Sequence, residues 1–458
     1  MQTKLFSVIG VALALCACSS TPQSVLERSQ AAMGKVTSLQ YSGKGINGNY
    51  GQALLAGQEW PRRDLSSYSR SINYDQKSSS EVITFAEPVF GGQKQNPVVN
   101  GDKAWNVADT GPAAQPPSVA EGRQLRIWMT PHGFLKAAAS APGVTPAPGQ
   151  NGTQMLSVTV MGKYKLTGTI DGAGMVTRVE TTVPDPVLGE TPLSVTYSEY
   201  ADHGGVKFPG HIVEEQGGFM ILDINVDSVQ PGAAVDLPVP PAVQSAPVAP
   251  VTVTTTKLAN GVWHLTGGSH HSLVVEFPDF IAVVEGPQSE ERGKAVIAEA
   301  HMLVPTKPIK YVVTTHHHFD HISGLRPFVA EGAIIVTDES NVAYLTKAFS
   351  GGSKAPMFEG VKDKYVITDG AQRMEVYPTV GDTHTNELLV AYLPGSRILV
   401  EADSYSPNDP NARPMPPPAN AVTLYDNIER LKLNVSQIAP VHGRGAVPIA
   451  EFRRFVGR

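Results

Sequence analysis

The 458-residue chain holds thirteen histidines, and ten of them fall between His264 and His442. The densest run is Thr314-Thr315-His316-His317-His318-Phe319-Asp320-His321. Imidazole and carboxylate are good ligands for zinc and similar divalent ions. The run follows Ile309 to Thr315, an apolar stretch with the pattern of a buried strand, so it sits where a loop meets a sheet edge. With a side-chain period of two, His316 and His318 can face one side together. Asp320 and His321, past a bend, can serve a second ion. His317 points away and reads as a packing residue or a partner of a ligand. Cysteine chemistry is excluded from the body of the chain, because both cysteines, Cys16 and Cys18, lie at the extreme N-terminus.

The sequence THHHFDHISGL resembles the His-x-His-x-Asp-His motif of the metallo-β-lactamase superfamily. The resemblance extends to His384 in Gly381-Asp382-Thr383-His384, to Asp403 after the apolar Ile398-Leu399-Val400, and to His442 before Gly443. These follow His321 at intervals of 63, 19 and 39 residues, in the family's order. It implies that His316, His318 and His384 bind a first zinc, that Asp320, His321 and His442 bind a second, and that Asp403 bridges the two. Other divalent ions are compatible with this ligand set. Such a pair holds a hydroxide at neutral pH and polarises the attacked bond. Asp320 is then the candidate for orienting water and passing its proton to the leaving group. Tyr405, two residues beyond Asp403, is a candidate oxyanion donor. In place of the family's Asp-x-Gly the chain has Glu285-Gly286-Pro287, and Glu285 can accept a ligand's imidazole N–H. His270 and His271 lie near the first strands and read as satisfied packing or turn residues more than as pocket residues.

A shared site fixes the reaction type better than the substrate. Zinc β-lactamases carry Cys or Ser where Asp403 stands, so the resemblance leans to the general hydrolase branch. No flavin fingerprint is present. The expectation is an exported dinuclear-zinc hydrolase of an ester, lactone, thioester or amide-type bond in a small molecule. The alternatives are a zinc β-lactamase, or an envelope lipoprotein that binds a lipid or other apolar ligand in its N-terminal part.

These residues need a scaffold. Strands at Val262–Leu265, Ser272–Phe277 and Phe280–Val284, a helix over Ser289–Leu303 capped by Ser289, the strand from Ile309, and helical spacing of Ala421, Leu424, Ile428 and Leu431 predict mixed sheets covered by helices. The resemblance implies a four-layer αββα fold for residues 251–458. Residues 236–250 belong to a proline-rich tract, six prolines in 231–250, which reads as an extended linker. Residues 19–235 read as mostly antiparallel β: strands in Gln154–Ile170, a turn at Asp171–Gly174, a strand over Val176–Val183, and a hairpin through Gln216-Gly217-Gly218. Helices are predicted near Val25–Gly34 and over Val119–Ser140, interrupted at Pro131. This part loosely resembles the open half-barrel of periplasmic lipoprotein carriers.

Residues 1–18, MQTKLFSVIGVALALCAC, have a positive Lys4 and an apolar run too short for a membrane span. They resemble a bacterial lipoprotein signal, which implies export, cleavage before Cys18, lipidation of that cysteine and, from Ser19, an anchor in the outer membrane, on its periplasmic side or at the cell surface. A net charge of −6 without a basic patch argues against nucleic acid as a partner. A hydrophobic share of 41% excludes a disordered chain. Oligomeric state has no sequence signal here.

Overall fold

The computed structural model describes residues 21–89, 92–247, 250–352 and 354–458. The signal-like segment, with Cys16 and Cys18, lies outside the described residues.

Residues 38–231 build one antiparallel sheet of fourteen strands. Its first strand, Ser38–Gly48, lies between Arg62–Asn73 and the last, Phe219–Pro231, so both ends of this part of the chain meet in mid-sheet. The expected strands form at Gln154–Val160, Tyr164–Ile170 and Val176–Asp185. The hairpin joins Lys207–Gln216 to Phe219–Pro231 through Gly217 and Gly218, both at positive φ as a tight turn requires. Helices Pro22–Met33, Pro117–Met129 and Pro131–Ser140 pack against this sheet around Phe134, Leu156, Leu166 and Phe208. Thr130 ends one helix and caps the next, its hydroxyl accepting from Gly133 N at 3.2 Å, which explains the break at Pro131.

Strands also form between residues 38 and 114, where the sequence carries little alternating pattern. Arg62–Asn73, RRDLSSYSRSIN, is polar at most positions and buries mainly Leu65, Tyr68, Arg70 and Ile72. The tract read as an extended linker contains a helical turn at Pro241–Gln244. Leu237, Val239 and Val243 pack on Val98 and Trp105, so this stretch clings to the large sheet.

Residues 254–448 form two further sheets, of seven and six strands. In the first, Ile281–Val284, Ile309–Val313, Ile334–Asp338 and Met357–Val361 run parallel. In the second, Ile398–Glu401 and Gln437–Pro440 run parallel beside antiparallel Leu389–Leu393. The sheets pack face to face through Leu273, Val275, Val284, Val376, Leu389 and Val400. Glu290–Leu303, Leu325–Glu331 and Val342–Ala348 cover the outer face of the first sheet. Ala419–Arg430 and Ile449–Phe455 cover that of the second. This is the expected αββα layering. Ser289 caps Glu290–Leu303, its hydroxyl accepting from Arg292 N at 3.2 Å. No described helix is long and apolar enough to cross a membrane.

The two parts share apolar core. Trp60 and Val187 of the first part are buried with Phe319, Ile322 and Leu325 of the second. Arg326 donates from Nε to the Pro186 carbonyl and from Nη2 to the Val187 carbonyl, each at 2.8 Å.

Candidate metal centre

Parallel strands deliver the site residues. Glu285 follows Ile281–Val284, the 316–321 run follows Ile309–Val313, Asp403 follows Ile398–Glu401, and His442 follows Gln437–Pro440. His384 lies in the connection before Leu389–Leu393. Ligand-bearing loops from both sheets therefore meet at one edge of the sandwich, where strand ends commonly carry sites. Glu285 and Asp403 both have positive φ, at 73° and 60°. Such backbone is costly for a non-glycine residue and tends to cluster at functional sites.

Asp403 is the hub. Its Oδ2 lies 2.9 Å from His321 Nε2, 3.4 Å from His316 Nε2 and 3.6 Å from His384 Nε2, and its Oδ1 lies 3.2 Å from His442 Nε2. Ligand atoms of His316, His318 and His384 lie within 4.8 Å of one another, as do those of His316, His321 and Asp403. The ring nitrogens facing the centre are buried and without hydrogen-bond partners: Nε2 of His316, His321, His384 and His442, and Nδ1 of His318. Buried polar atoms are normally satisfied, so a convergent set of orphaned lone pairs calls for a cation.

The opposite nitrogens explain that orientation. His316 Nδ1 pairs with Thr315 Oγ1 at 3.0 Å, while His321 Nδ1 donates to Glu285 Oε2 at 2.7 Å and His442 Nδ1 to the Ser269 carbonyl at 3.0 Å. His318 uses Nε2 instead, donating to the Ala53 carbonyl at 3.0 Å. The carbonyl partners of His318 and His442 require a protonated nitrogen on that side, which leaves the other ring nitrogen turned toward the centre.

Charge follows the same logic. Burial, with the nearby His384 and His317, lowers the His318 imidazole to about 3, and burial holds His316 well below its ordinary value. Both are thus neutral, the form that binds metal. Burial alone would raise the Asp403 carboxyl, but His321, His442 and His316 outweigh it and hold the group ionised. Burial opposes protonation of His321, yet Asp403 and Glu285 raise it well above its ordinary value.

Asp320 stands slightly apart. Its Oδ2 is 3.9 Å from His321 Nε2 but 3.1 Å from His270 Nε2, and its Oδ1 accepts from Gln52 Nε2 at 2.8 Å. His270, expected to be a packing or turn residue, lies beside this carboxylate instead. Its ligand nitrogen groups with those of His321 and His442 within 4.8 Å. However, its Nδ1 pairs with Ser269 Oγ at 2.9 Å and its Nε2 with Asp320, so both ring nitrogens are engaged. His317 is buried with Nδ1 on the Glu387 carboxylate. Tyr405 is not brought to the centre: its ring packs on Phe452 and Phe455 and its hydroxyl donates to Glu451 Oε1 at 3.3 Å. The backbone at Asp403 is left-handed, so the chain does not run on extended from Asp403 to Tyr405.

Residues 265–433 match the sequence profile described as the Metallo-beta-lactamase superfamily. This region is a metallo-β-lactamase superfamily domain. Among curated relatives, the chain is similar to the 2,4-dinitroanisole O-demethylase subunit alpha of Nocardioides sp. (strain JS1661), 25% identical over 157 residues, 33% of this chain and 46% of that protein. It is also similar to the linear primary-alkylsulfatase of Pseudomonas sp. (strain ATCC 19151), 38% identical over 58 residues, 13% of this chain and 11% of that protein. The matches thus span less than half of either relative. Among solved structures, a metallo-beta-lactamase from Pontibacter korlensis has 19% identity and a TM-score of 0.37, covering 45% of this chain and 98% of that one. One from Hirschia baltica has 17% identity and a TM-score of 0.35, covering 45% and 96%. The superfamily domain falls entirely within the two smaller sheets and their helices.

Proposed function

We propose that this chain is a dinuclear-zinc hydrolase that cleaves an ester, lactone, thioester or amide-type bond in a small molecule, and that it is exported and lipid-anchored through Cys18. The observation that carries the catalytic reading is the set of five orphaned imidazole nitrogens and the Asp403 carboxylate facing one another. His316, His318 and His384 would hold one ion, His321 and His442 a second with Asp320 at its flank, and Asp403 would lie between. When bound, such ions lower the pKa of water toward neutrality and polarise the oxygen of the attacked group.

The protein's own groups supply the rest. The carboxylate of Asp320 is partly exposed, and its Oδ2 borders His270 and His321. Burial would raise this carboxyl, but the His270 hydrogen bond and the charges on His321 and His270 hold it below the usual range. It is therefore an acceptor at neutral pH, placed to take a proton from water and hand it to a leaving group. The buried imidazole cluster provides the low-dielectric wall against which such charges act strongly. Export rests on the resemblance of residues 1–18 to a lipoprotein signal. The carrier alternative would rest on the N-terminal part, where one cavity is lined by Arg70, Glu81, Arg123 and Arg126 and another by Ala120, Trp128, Ala137, Val160 and Met161.

The test is elemental analysis of purified protein together with hydrolysis of lactones, thioesters, alkyl sulfates, phosphodiesters and β-lactams in zinc, manganese or chelator. Two ions per chain and chelator-sensitive turnover of at least one class are expected, both lost in the double variant His316→Ala, Asp403→Ala. Unchanged turnover in that variant would overturn the reading.

A further inference from the structure

Four ligand histidines have their second ring nitrogen anchored, and three of those anchors come from the superfamily domain itself: Thr315, Glu285 and Ser269. The fourth does not. His318 donates to the carbonyl of Ala53, which belongs to the connection between the first two strands of the large N-terminal sheet. Ala53 and His318 are both buried. Its neighbour Gln52 donates to Asp320 Oδ1 at 2.8 Å. Gly51 accepts from the Phe319 amide at 3.2 Å, and the Leu54 carbonyl accepts from the Asn386 amide at 3.3 Å, two residues beyond His384. Four consecutive residues of one part thus bond to two stretches of the other that carry or flank candidate ligands, the 316–321 run and the segment after His384.

The connection is held by more than polar contacts. Phe319 meets Tyr50 and Trp60 edge to face, at centroid distances of 5.4 Å and 6.1 Å. Tyr50 and Trp60 meet edge to face at 4.5 Å. Aromatic groups of this size carry enough buried area to fix the connection against the 316–321 run. Gly51 has φ of 70°, and a Cβ there would lie 2.4 Å from Phe319 Cγ. Only glycine lets the backbone pass so close.

We propose that Gly51–Ala53 is a positioning element of the metal centre: the Ala53 carbonyl sets the His318 tautomer that presents Nδ1, and the Gln52 carboxamide aims the Asp320 carboxylate. The inference rests on the metal-hydrolase reading above. It makes the N-terminal domain part of the centre and not an appendage. Carbonyl and carboxamide partners that orient ligands typically change metal affinity 10–100-fold when lost.

The test uses the full chain and zinc itself, by competition with a chromophoric chelator, with the visible spectrum of the cobalt-substituted protein as a second readout. Gly51→Ala adds one methyl against Phe319 and pushes the connection away. A loss of zinc affinity of about 10-fold or more is expected, with the helical and sheet circular dichroism retained. Gln52→Leu keeps the bulk and removes the donor. It is expected to weaken the second zinc while leaving the first intact and to alter the cobalt spectrum. A merely structural role would lower the melting temperature of both variants without changing zinc affinity in the folded fraction, and that result overturns the proposal. Should Gly51→Ala fail to fold, imidazole 15N shifts of His318 in the metal-free parent at pH 8 decide the same point: a protonated Nε2 supports the proposal and a protonated Nδ1 overturns it. A parent that takes up no zinc overturns both this inference and the hydrolase reading, whereas a zinc-loaded parent with indifferent variants overturns this inference alone.

Discussion

Glu285 Oε2 accepts the Nδ1 proton of His321 at 2.7 Å, while Glu285 Oε1 accepts the Thr315 amide, also at 2.7 Å. One fully buried carboxylate thus ties a candidate ligand to the start of the histidine run. Glu285→Ala leaves two buried donors unpaired, at about 1–3 kcal/mol each, and frees the His321 ring. Zinc affinity at the second position should fall about 10–100-fold, and chelator competition with urea unfolding would measure both effects. Wild-type affinity in this variant would show that Glu285 only fills space.

Tyr405 offers the converse case. Its hydroxyl meets Glu451 and its ring lies among Phe452 and Phe455. Tyr405→Phe should keep turnover within about 2-fold and cost no more than about 1 kcal/mol, the worth of one hydrogen bond. Steady-state kinetics on any substrate found active would decide it. A loss of 100-fold in kcat would return Tyr405 to the reaction.

A third expectation concerns acid. Burial lowers the His132 imidazole from 6.5 to about 4, only partly offset by its contact with the Met33 carbonyl at 3.3 Å. The unfolded chain takes up this proton near pH 6.5 and the folded chain only near 4. Stability contributed by neutral His132 is therefore present above pH 6.5 and lost as pH falls toward 4, at a slope of at most about 1.4 kcal/mol per pH unit. His132→Gln should flatten thermal stability across that window. An acid limb equally steep in variant and parent would assign the titration to another group.

Arg326 bridges the two parts, donating to the carbonyls of Pro186 and Val187 and, at 2.9 Å, to that of Ala348. Arg326→Ala should destabilise the chain by on the order of 2 kcal/mol. Arg326→Lys should rescue little, because a single ammonium cannot span three carbonyls set for a planar fork. Calorimetry would show a lower or split transition; an unchanged profile would deny the bridge any role in docking.

Much of the scaffold was legible because its signals are local. Ser289 before two glutamates marked the helix at Glu290–Leu303, and Gly217-Gly218 marked a hairpin. The residues now gathered around Asp403 stood out because few functions need so many imidazoles beside strand ends. Tyr405 was misplaced because counting two residues onward assumes an extended chain, and Asp403 is not extended. Gln52 and Ala53 left no trace in the sequence. A backbone carbonyl has no residue-type signature, and a glutamine in a loop looks like any solvated side chain. His270 sat in plain view but could not be ranked without knowing that Asp320 leans toward it. The polar strands before residue 114 escaped because tertiary pairing, not composition, makes them strands.

The carbonyl of Ala53 and the ring of His442 serve one centre from nearly opposite ends of the chain. At about 5–20 residues added per second, the ribosome releases the former on the order of tens of seconds before the latter. The complete cage is consequently among the last things to exist during biogenesis. On the metal-hydrolase proposal, a cation meeting the nascent 316–321 run would find only a partial grip, and stable loading would belong to the finished chain.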